Sequence, residues 1–337
     1  MQKRYWIGFT EIEKAELMAD DRPEGTPAEN EVDLESIVSW ISSGTETVGC
    51  YCRTHYQMRK TGVYGTGYAT VSRVTAVGRK VDGVKPGDIV LGGCHSSSHR
   101  LPASELVKVP DGLSPEQAVF ARMIKVSIPS FVRTGVAAPD ICAVTGLGVI
   151  GFWCAQLASM FGYEVVASDP NPLRREIAAK HGIRVTEALR EDDPEFSGKI
   201  GFGIDCSGNE LAVKSLCDVM RNWGEISLVG VPWKPNSDLN AQKILHPVFY
   251  KFLTLKTGWE ADMPGQHKVH NDLTHKAAAL RYLSEGRIGI EPWAYEKVSP
   301  EDPQTLYQNI LHGRLNSFGY MLDWSGFTRQ GRDHEND

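Results

Sequence analysis

Short β-type runs, punctuated by Gly and Pro, fill the first third of the chain: YWIGF at 5–9, EVDLESIVSW at 31–40, YATVSRVTAVG at 68–78, DIVLGG at 88–93 and ELVKVP at 105–110. The spacing of these runs between turns predicts a compact β-rich domain. Two turn signals, Asp82-Gly83 and Pro86-Gly87, interrupt the apolar positions of GRKVDGVKPGDIV. The pattern changes near residue 130. ICAVT (141–145) predicts a short buried strand, VIGFWCAQLASMF (149–161) an apolar helix stopped by Gly162, and EVVAS (164–168) the next strand. PLRREIAAK (172–180) starts with a Pro suited to a first helical turn. GFGIDCSG (201–208), a helix from Glu210 to Arg221, and GEISLVG (224–230) continue the rhythm. Strands alternating with helices of this length make an α/β unit, a doubly wound parallel sheet covered on both faces. LTLKTGW (253–259), a helix over 271–286 and a strand at FGYMLDW (318–324) follow, and the polar end TRQGRDHEND is expected to fray.

Composition narrows the function classes. With 337 residues, two domains are expected, and about three quarters of the unfolded surface can be buried without covalent staples. Lys plus Arg number 36 against 42 Asp plus Glu, a net charge of −6, so neither nucleic acid nor an anionic membrane is an expected partner. No apolar run has the length of a membrane span. The opening MQKRYWIGFTEIEKAEL lacks an apolar signal core, and seven Cys is an odd number that suits reduced thiols. A cytoplasmic protein is therefore expected.

Gly146-Leu147-Gly148-Val149-Ile150-Gly151 follows a predicted strand and opens a predicted helix, the context that gives a G-x-G-x-x-G run its meaning. Gly146 permits a tight turn, Gly148 lets the backbone approach a pyrophosphate, and Gly151 allows close helix–strand packing. The helix N-terminus offers N–H groups and a positive dipole to phosphates. Asp169, at the end of the next strand, can accept both ribose hydroxyls of NAD and repel a 2′-phosphate. Its alternative role is to cap the helix at Pro172. Arg174 and Arg175 are adenine or phosphate contacts, or a solvated helix face.

With these residues in place, the chain resembles the medium-chain dehydrogenase/reductase superfamily of zinc-type alcohol dehydrogenases. VSRVTAVGRKVDGVKPGDIVLGG and VTGLGVIGFWCAQLA carry the resemblance, and GIDCSG and ISLVGVP are similar to later strands of the family's nucleotide domain. Those last two stretches imply cofactor contacts at Cys206, Ser207, Val229 and Gly230. The resemblance implies a GroES-like β domain in two segments, 1–125 and 269–337, with a Rossmann domain at 126–268 between them. It also implies NAD as cofactor, a small-molecule substrate, and a homodimer paired through the sheet edge near LTLKTGW.

The departures from the family pattern bear on mechanism. The family's C-G-[ST]-D segment aligns with Ser43-Gly44-Thr45-Glu46 and its G-H-E segment with Gly67-Tyr68-Ala69. Ser and Tyr replace two zinc ligands, and neither is a normal one. Only Cys94 stands where relatives carry a four-Cys zinc lobe. This S-G-T-E pattern is similar to a zinc-lacking subgroup related to bacteriochlorophyllide hydroxyethyl dehydrogenases and sugar or polyol dehydrogenases. Tyr68, Ser43, Thr45, His95 and His99 are the candidates to hold charge on a reacting oxygen without a metal. Glu46 is either a general base or a loop anchor. Cys50, Cys52 and His55 with Cys94, His95 and His99 are a metal set or ordinary loop residues. Arg122 and Lys125 either approach the cofactor or form a solvated face. The aromatic HPVFYKF (246–252) and the eight Trp are core, interface or pocket wall. No metal is expected. Three functions remain open: a zinc-independent NAD-dependent dehydrogenase acting on a sugar, cyclitol or other polyol; a redox-neutral epimerase or lyase that uses NAD transiently; and an inactive nucleotide-binding protein.

Overall fold

The computed structural model describes residues 3–54, 62–261 and 269–329. The chain divides into two compact units. One comprises Met1–Arg122, Lys276–Leu315 and Gly319–Asp337; the other comprises Met123–His275 with Asn316–Phe318. Along the chain the strands are β1 (Lys3–Glu11), β2 (Lys14–Asp21), β3 (Glu31–Trp40), β4 (Tyr64–Gly65), β5 (Thr70–Val77), β6 (Ile89–Leu91), β7 (Ser98–Pro102) and β8 (Val107–Lys108). They continue as β9 (Ile141–Thr145), β10 (Glu164–Ser168), β11 (Arg184–Thr186), β12 (Ile200–Asp205), β13 (Met220–Leu228), β14 (Thr254–Thr257), β15 (Glu296–Val298) and β16 (Tyr320–Asp323). The helices are α1 (Pro115–Ala118), α2 (Ala121–Arg133), α3 (Val149–Met160), α4 (Pro172–Lys180), α5 (Glu210–Val219), α6 (Gln242–Tyr250), α7 (Asp272–Ser284), α8 (Pro303–Leu311) and α9 (Ser325–Arg329).

The first unit is built on β3. Its even-numbered residues Val32, Leu34, Ser36 and Val38 are buried, while Asp33 and Glu35 are half-buried on the other face, as the two-residue period requires. β3 lies in a sheet ordered β15-β16-β3-β5-β6-β8, with β7 also pairing to β3. Val32, Leu34, Val74, Val90 and Leu106 pack into one core. A second sheet, β2-β1-β4, helps close a core of Ile7, Phe9, Ile41, Tyr51, Tyr307 and Trp324. Between β3 and β4 the segment Ser43–Tyr51 winds as a π-helix. A π-helix takes one more residue into each hydrogen-bonded ring than an α-helix, a rare winding that is frequently found at functional sites.

The second unit is one parallel sheet in the order β11-β10-β9-β12-β13-β14. Counted from β9, this is the 3-2-1-4-5-6 order of a dinucleotide-binding sheet. α3 is buried along almost its whole length, which its sequence VIGFWCAQLASM allows because it is apolar on every face. The helix expected to reach Arg221 ends at Val219. Met220 instead pairs with Ile200 in the parallel ladder, so the strand expected from Gly224 begins four residues earlier. The exposed rings of Phe249, Tyr250 and Phe252 correct the core reading of HPVFYKF. In α6 only the partly buried Ile244 and Val248 pack on the core.

Candidate functional site

The glycine turn sits at the carboxyl end of β9. Gly146 adopts a φ of +82°, and a Cβ there would meet the Ser207 backbone at 2.9 Å. A Cβ on Gly151 would overlap the Gly146 carbonyl oxygen, so no side chain fits. Gly148 differs from both, because no atom lies within 4 Å of its Cβ position. That open space lies directly before the first turn of α3, which no side chain caps and which carries no acidic residue. An uncapped helix N-terminus beside a side-chain-free cradle suits a pyrophosphate. Leu147 and Val149 are buried and Ile150 is half-buried, anchoring the turn from below.

Asp169 is buried. Its Oδ2 accepts the Leu147 N–H at 2.7 Å and its Oδ1 accepts the Asn171 N–H at 2.8 Å, while Arg174 Nη1 stands 3.5 Å from Oδ2. Capping of α4 falls to the Asn171 side chain, which accepts from Leu173 and Arg174. The Asp169 carboxylate therefore ties the glycine turn to the loop after β10, a contact that the sequence motif did not reveal. Arg175 donates to the Asp169 and Pro170 carbonyls. At the end of β12, Asp205 accepts from Thr145, Ser207 and Gly208, and burial raises its carboxyl against those bonds. Cys206 Sγ lies 3.5 Å from Cys154 Sγ, and this hydrogen bond, with burial, pushes its thiol up. The Val229 and Gly230 N–H groups both donate to the Asp205 carbonyl at 2.8 Å. The unit thus brings Gly146, Gly148, Gly151, Asp169, Ser207 and Gly230 to the carboxyl ends of adjacent strands.

The first unit holds a different kind of cluster. Glu46, buried in the π-helix, is surrounded by donors: the Ser42 N–H to Oε1 at 2.8 Å, and Thr66 Oγ1 at 2.9 Å and the Tyr307 hydroxyl at 2.7 Å to Oε2. His95 Nε2 lies 2.9 Å from Oε2, at ion-pair distance without hydrogen-bond alignment. The other His95 nitrogen meets Ser39 Oγ at 2.8 Å, and Trp324 Nε1 donates to the same oxygen. Burial would raise the Glu46 carboxyl, but the His95 charge and the donors outweigh it and hold it below its usual range. Glu46 is thus fully engaged within the fold.

Tyr68 lies beside this cluster. Its hydroxyl donates to Ser42 Oγ at 2.5 Å, and Arg122 Cζ sits 4.4 Å over its ring. Burial, then the Glu46 charge, pushes the phenol up to about 12; Arg122 and hydrogen bonds with Ser42 and Thr45 pull the other way. A phenol so placed stays protonated and can donate. Ser43, half-buried, neighbours Gly319, so Ser42 rather than Ser43 is the serine paired with Tyr68. His99 lies on β7 opposite Leu34, with Nε2 buried and unbonded; burial, then the Arg4 and His95 charges, lowers it to about 4. Lys125, in the second unit, is tied to Glu260 at 2.5 Å and Asp272 at 2.7 Å.

Burial, then the Glu46 charge, raises the Cys50 thiol to about 11, and burial raises that of Cys94. Among the described residues no group of three or more His, Cys, Asp or Glu side chains is placed to hold a metal. His55 lies outside the described residues.

Residues 149–262 match the family described as zinc-binding dehydrogenase. The L-threonine 3-dehydrogenase of Rhizobium johnstonii is 30% identical over 232 residues, covering 66% of this chain and 62% of that protein. Across the first such curated relatives, the aligned stretch spans 60% to 62% of their length. Galactitol-1-phosphate dehydrogenase from Escherichia coli superimposes with a TM-score of 0.76 at 17% identity, over 95% of this chain and 99% of that one. Acetophenone reductase from Geotrichum candidum, in complex with NAD, gives 0.76 at 15% identity, over 96% and 98%.

Proposed function

We propose that the chain is a medium-chain dehydrogenase/reductase, an NAD-dependent oxidoreductase that moves a hydride between nicotinamide and a secondary alcohol or ketone without zinc. The observation that carries this reading is the open Gly148 cradle before an uncapped α3, with the buried Asp169 carboxylate beside the turn. When bound, the nicotinamide supplies the hydride chemistry. The chain's residues position the cofactor and stabilise charge. Gly148 and the α3 N-terminus would receive the pyrophosphate, and Asp169 the adenosine ribose. Tyr68, kept protonated by burial, donates a hydrogen bond to the substrate oxygen in place of a metal. Glu46 and His95 act as the anchor that fixes the π-helix under Tyr68, not as a base, since the Glu46 carboxylate already accepts from Ser42, Thr66 and Tyr307 and lies against His95.

The proposed substrates are sugars, cyclitols or other polyols, supported by the hydroxyl-bearing substrates in the names of an L-threonine 3-dehydrogenase and a galactitol-1-phosphate dehydrogenase among similar proteins. A panel of such alcohols with NAD, read by NADH absorbance, tests the reading. Tyr68→Phe should then lower kcat by about 10²–10³ and leave NAD affinity unchanged. A rate within a few fold of the parent would reduce Tyr68 to a space filler.

A homodimer through β14 belongs to the same reading. Among the described residues β14 pairs only with β13, and an open strand edge invites a partner. Exposed Trp223 and Phe252, stacked 4.4 Å apart, add apolar surface to that unit. Light scattering should give twice the 37.2 kDa chain mass; a monomer at micromolar concentration counts against the dimer.

A further inference from the structure

Tyr68 does not stand alone as a donor. Its ring is clamped between two partners from distant parts of the first unit. The Ser42 hydroxyl, at the entrance to the π-helix, accepts from the phenol at 2.5 Å. The Arg122 guanidinium, in the first turn of α2, covers the ring face at 4.4 Å. A cation over an aromatic face is held by the ring's quadrupole, and it also acts on the hydroxyl. Positive charge near a phenol weakens the O–H bond and makes it a stronger donor. Its neighbours pull the opposite way, because burial and the Glu46 charge both make Tyr68 a weaker acid. Tyr68 as a whole residue is half-buried.

We propose that Arg122 is a positioning residue for Tyr68: it holds the ring and strengthens its hydroxyl as a donor to the substrate oxygen, and Ser42 is the acceptor that the oxygen displaces. This rests on the dehydrogenase reading for its substrate, but the Arg122–Tyr68 coupling is measurable without turnover. The hydroxyl proton that an alcohol gives up along with its hydride passes to solvent, and a ketone takes one from solvent after receiving the hydride; Tyr68 keeps its own proton and lends only a hydrogen bond. The substrate oxygen takes over the hydrogen bond that Ser42 accepts in the free protein, and the charge developing on that oxygen is met by a phenol polarised by Arg122. The arrangement makes a specific demand that simple filling of space does not. Charge at residue 122 must matter as well as volume, so Lys should restore what Met removes.

The test uses the full chain carrying 3-fluorotyrosine, with Tyr68→Phe identifying the resonance of residue 68 by fluorine NMR. Fluorination also brings the phenol's titration to a lower pH. In Arg122→Met the Tyr68 resonance should move and its titration shift to higher pH, while Arg122→Lys returns both towards the parent. In turnover, Arg122→Met should lower kcat about tenfold with the KM for NAD unchanged, and Arg122→Lys should recover most of that loss. If Arg122→Met fails to fold, Arg122→Gln against Arg122→Lys makes the same comparison of charge. An unmoved Tyr68 resonance and titration in the neutral variant overturns the proposal whatever the rates do. A moved resonance with an unchanged kcat overturns the role on the substrate oxygen. If the parent turns over no alcohol, the dehydrogenase reading fails while the NMR result still decides the coupling.

Discussion

The glycine turn of the second unit and the Glu46 cluster of the first solve opposite problems. The turn is contiguous: six residues, Gly146 to Gly151, make the bend, the cradle and the close helix contact, and they do it largely by lacking side chains. The Glu46 cluster is assembled at long range. Tyr307 lies 261 positions from Glu46, and Trp324 lies 285 from Ser39. It works by surrounding one buried carboxylate with donors from distant elements. One site leaves space for a ligand and the other leaves none. Binding should therefore respond to the turn, and stability to the cluster.

Glu46→Ala is the severest way to break that contrast. It would leave the Ser42 N–H, Thr66, Tyr307 and buried His95 without their shared acceptor. Removing one partner of a buried pair costs about 3–5 kcal/mol. Denaturant melts should show a loss of that order. Any surviving folded protein should still bind NAD by calorimetry, because the turn is built separately. A melt matching the parent would mean that the network is not closed as described.

The same contrast explains what could be read from the sequence. ICAVT, EVVAS and PLRREIAAK form their elements over the expected residues, since local pattern and tertiary role agree in a parallel sheet. The tight turn at Gly146 and the close packing at Gly151 follow from spacing alone. The end of α5 did not, because Val219 and Met220 suit a buried helix or strand equally and pairing with β12 decides. β2 escaped notice because KAELMADD is a largely polar strand at the edge of its sheet, with Ala15 its one buried residue. The π-helix over SGTETVGCY has no helical periodicity to announce it. Residue types suggested Tyr68, Glu46 and His95, but no local signal paired Tyr68 with Ser42 and Arg122 or Glu46 with Tyr307. A buried aspartate accepting the Leu147 N–H was likewise outside the motif.

A smaller effect sharpens the comparison through pH. His99 lies in the first unit, buried and unbonded at Nε2, and its folded value of about 4 lies below that of an unfolded histidine. On acidification the unfolded chain takes up the proton first. Stability is therefore complete above the ordinary histidine range and is lost as pH falls towards 4. At the linkage exchange rate per pH unit, the loss from His99 approaches about 3 kcal/mol. Unfolding free energies measured between about pH 7.5 and about pH 4.5 should fall, and His99→Gln should flatten that slope. The same slope in parent and variant would place the acid sensitivity elsewhere.

The smallest expected effect probes the turn itself. If Asp169 receives the ribose, NAD should bind more tightly than NADP by roughly ten- to a hundredfold, the worth of hydrogen bonds to a charged group. Both carboxylate oxygens already accept backbone N–H groups, from Leu147 and Asn171, so the ribose must share them rather than replace them. A carboxylate oxygen has lone pairs for that, whereas an amide does not carry the charge and presents one acceptor atom. Asp169→Asn should therefore bring the two cofactors within a few fold of each other, mainly by weakening NAD. Stability should drop less than in Glu46→Ala, because only one of the two backbone N–H groups loses its acceptor. Calorimetric titration of both proteins with both cofactors checks this. Equal affinities in the parent would mean that Asp169 serves only to tie the glycine turn to the loop after β10.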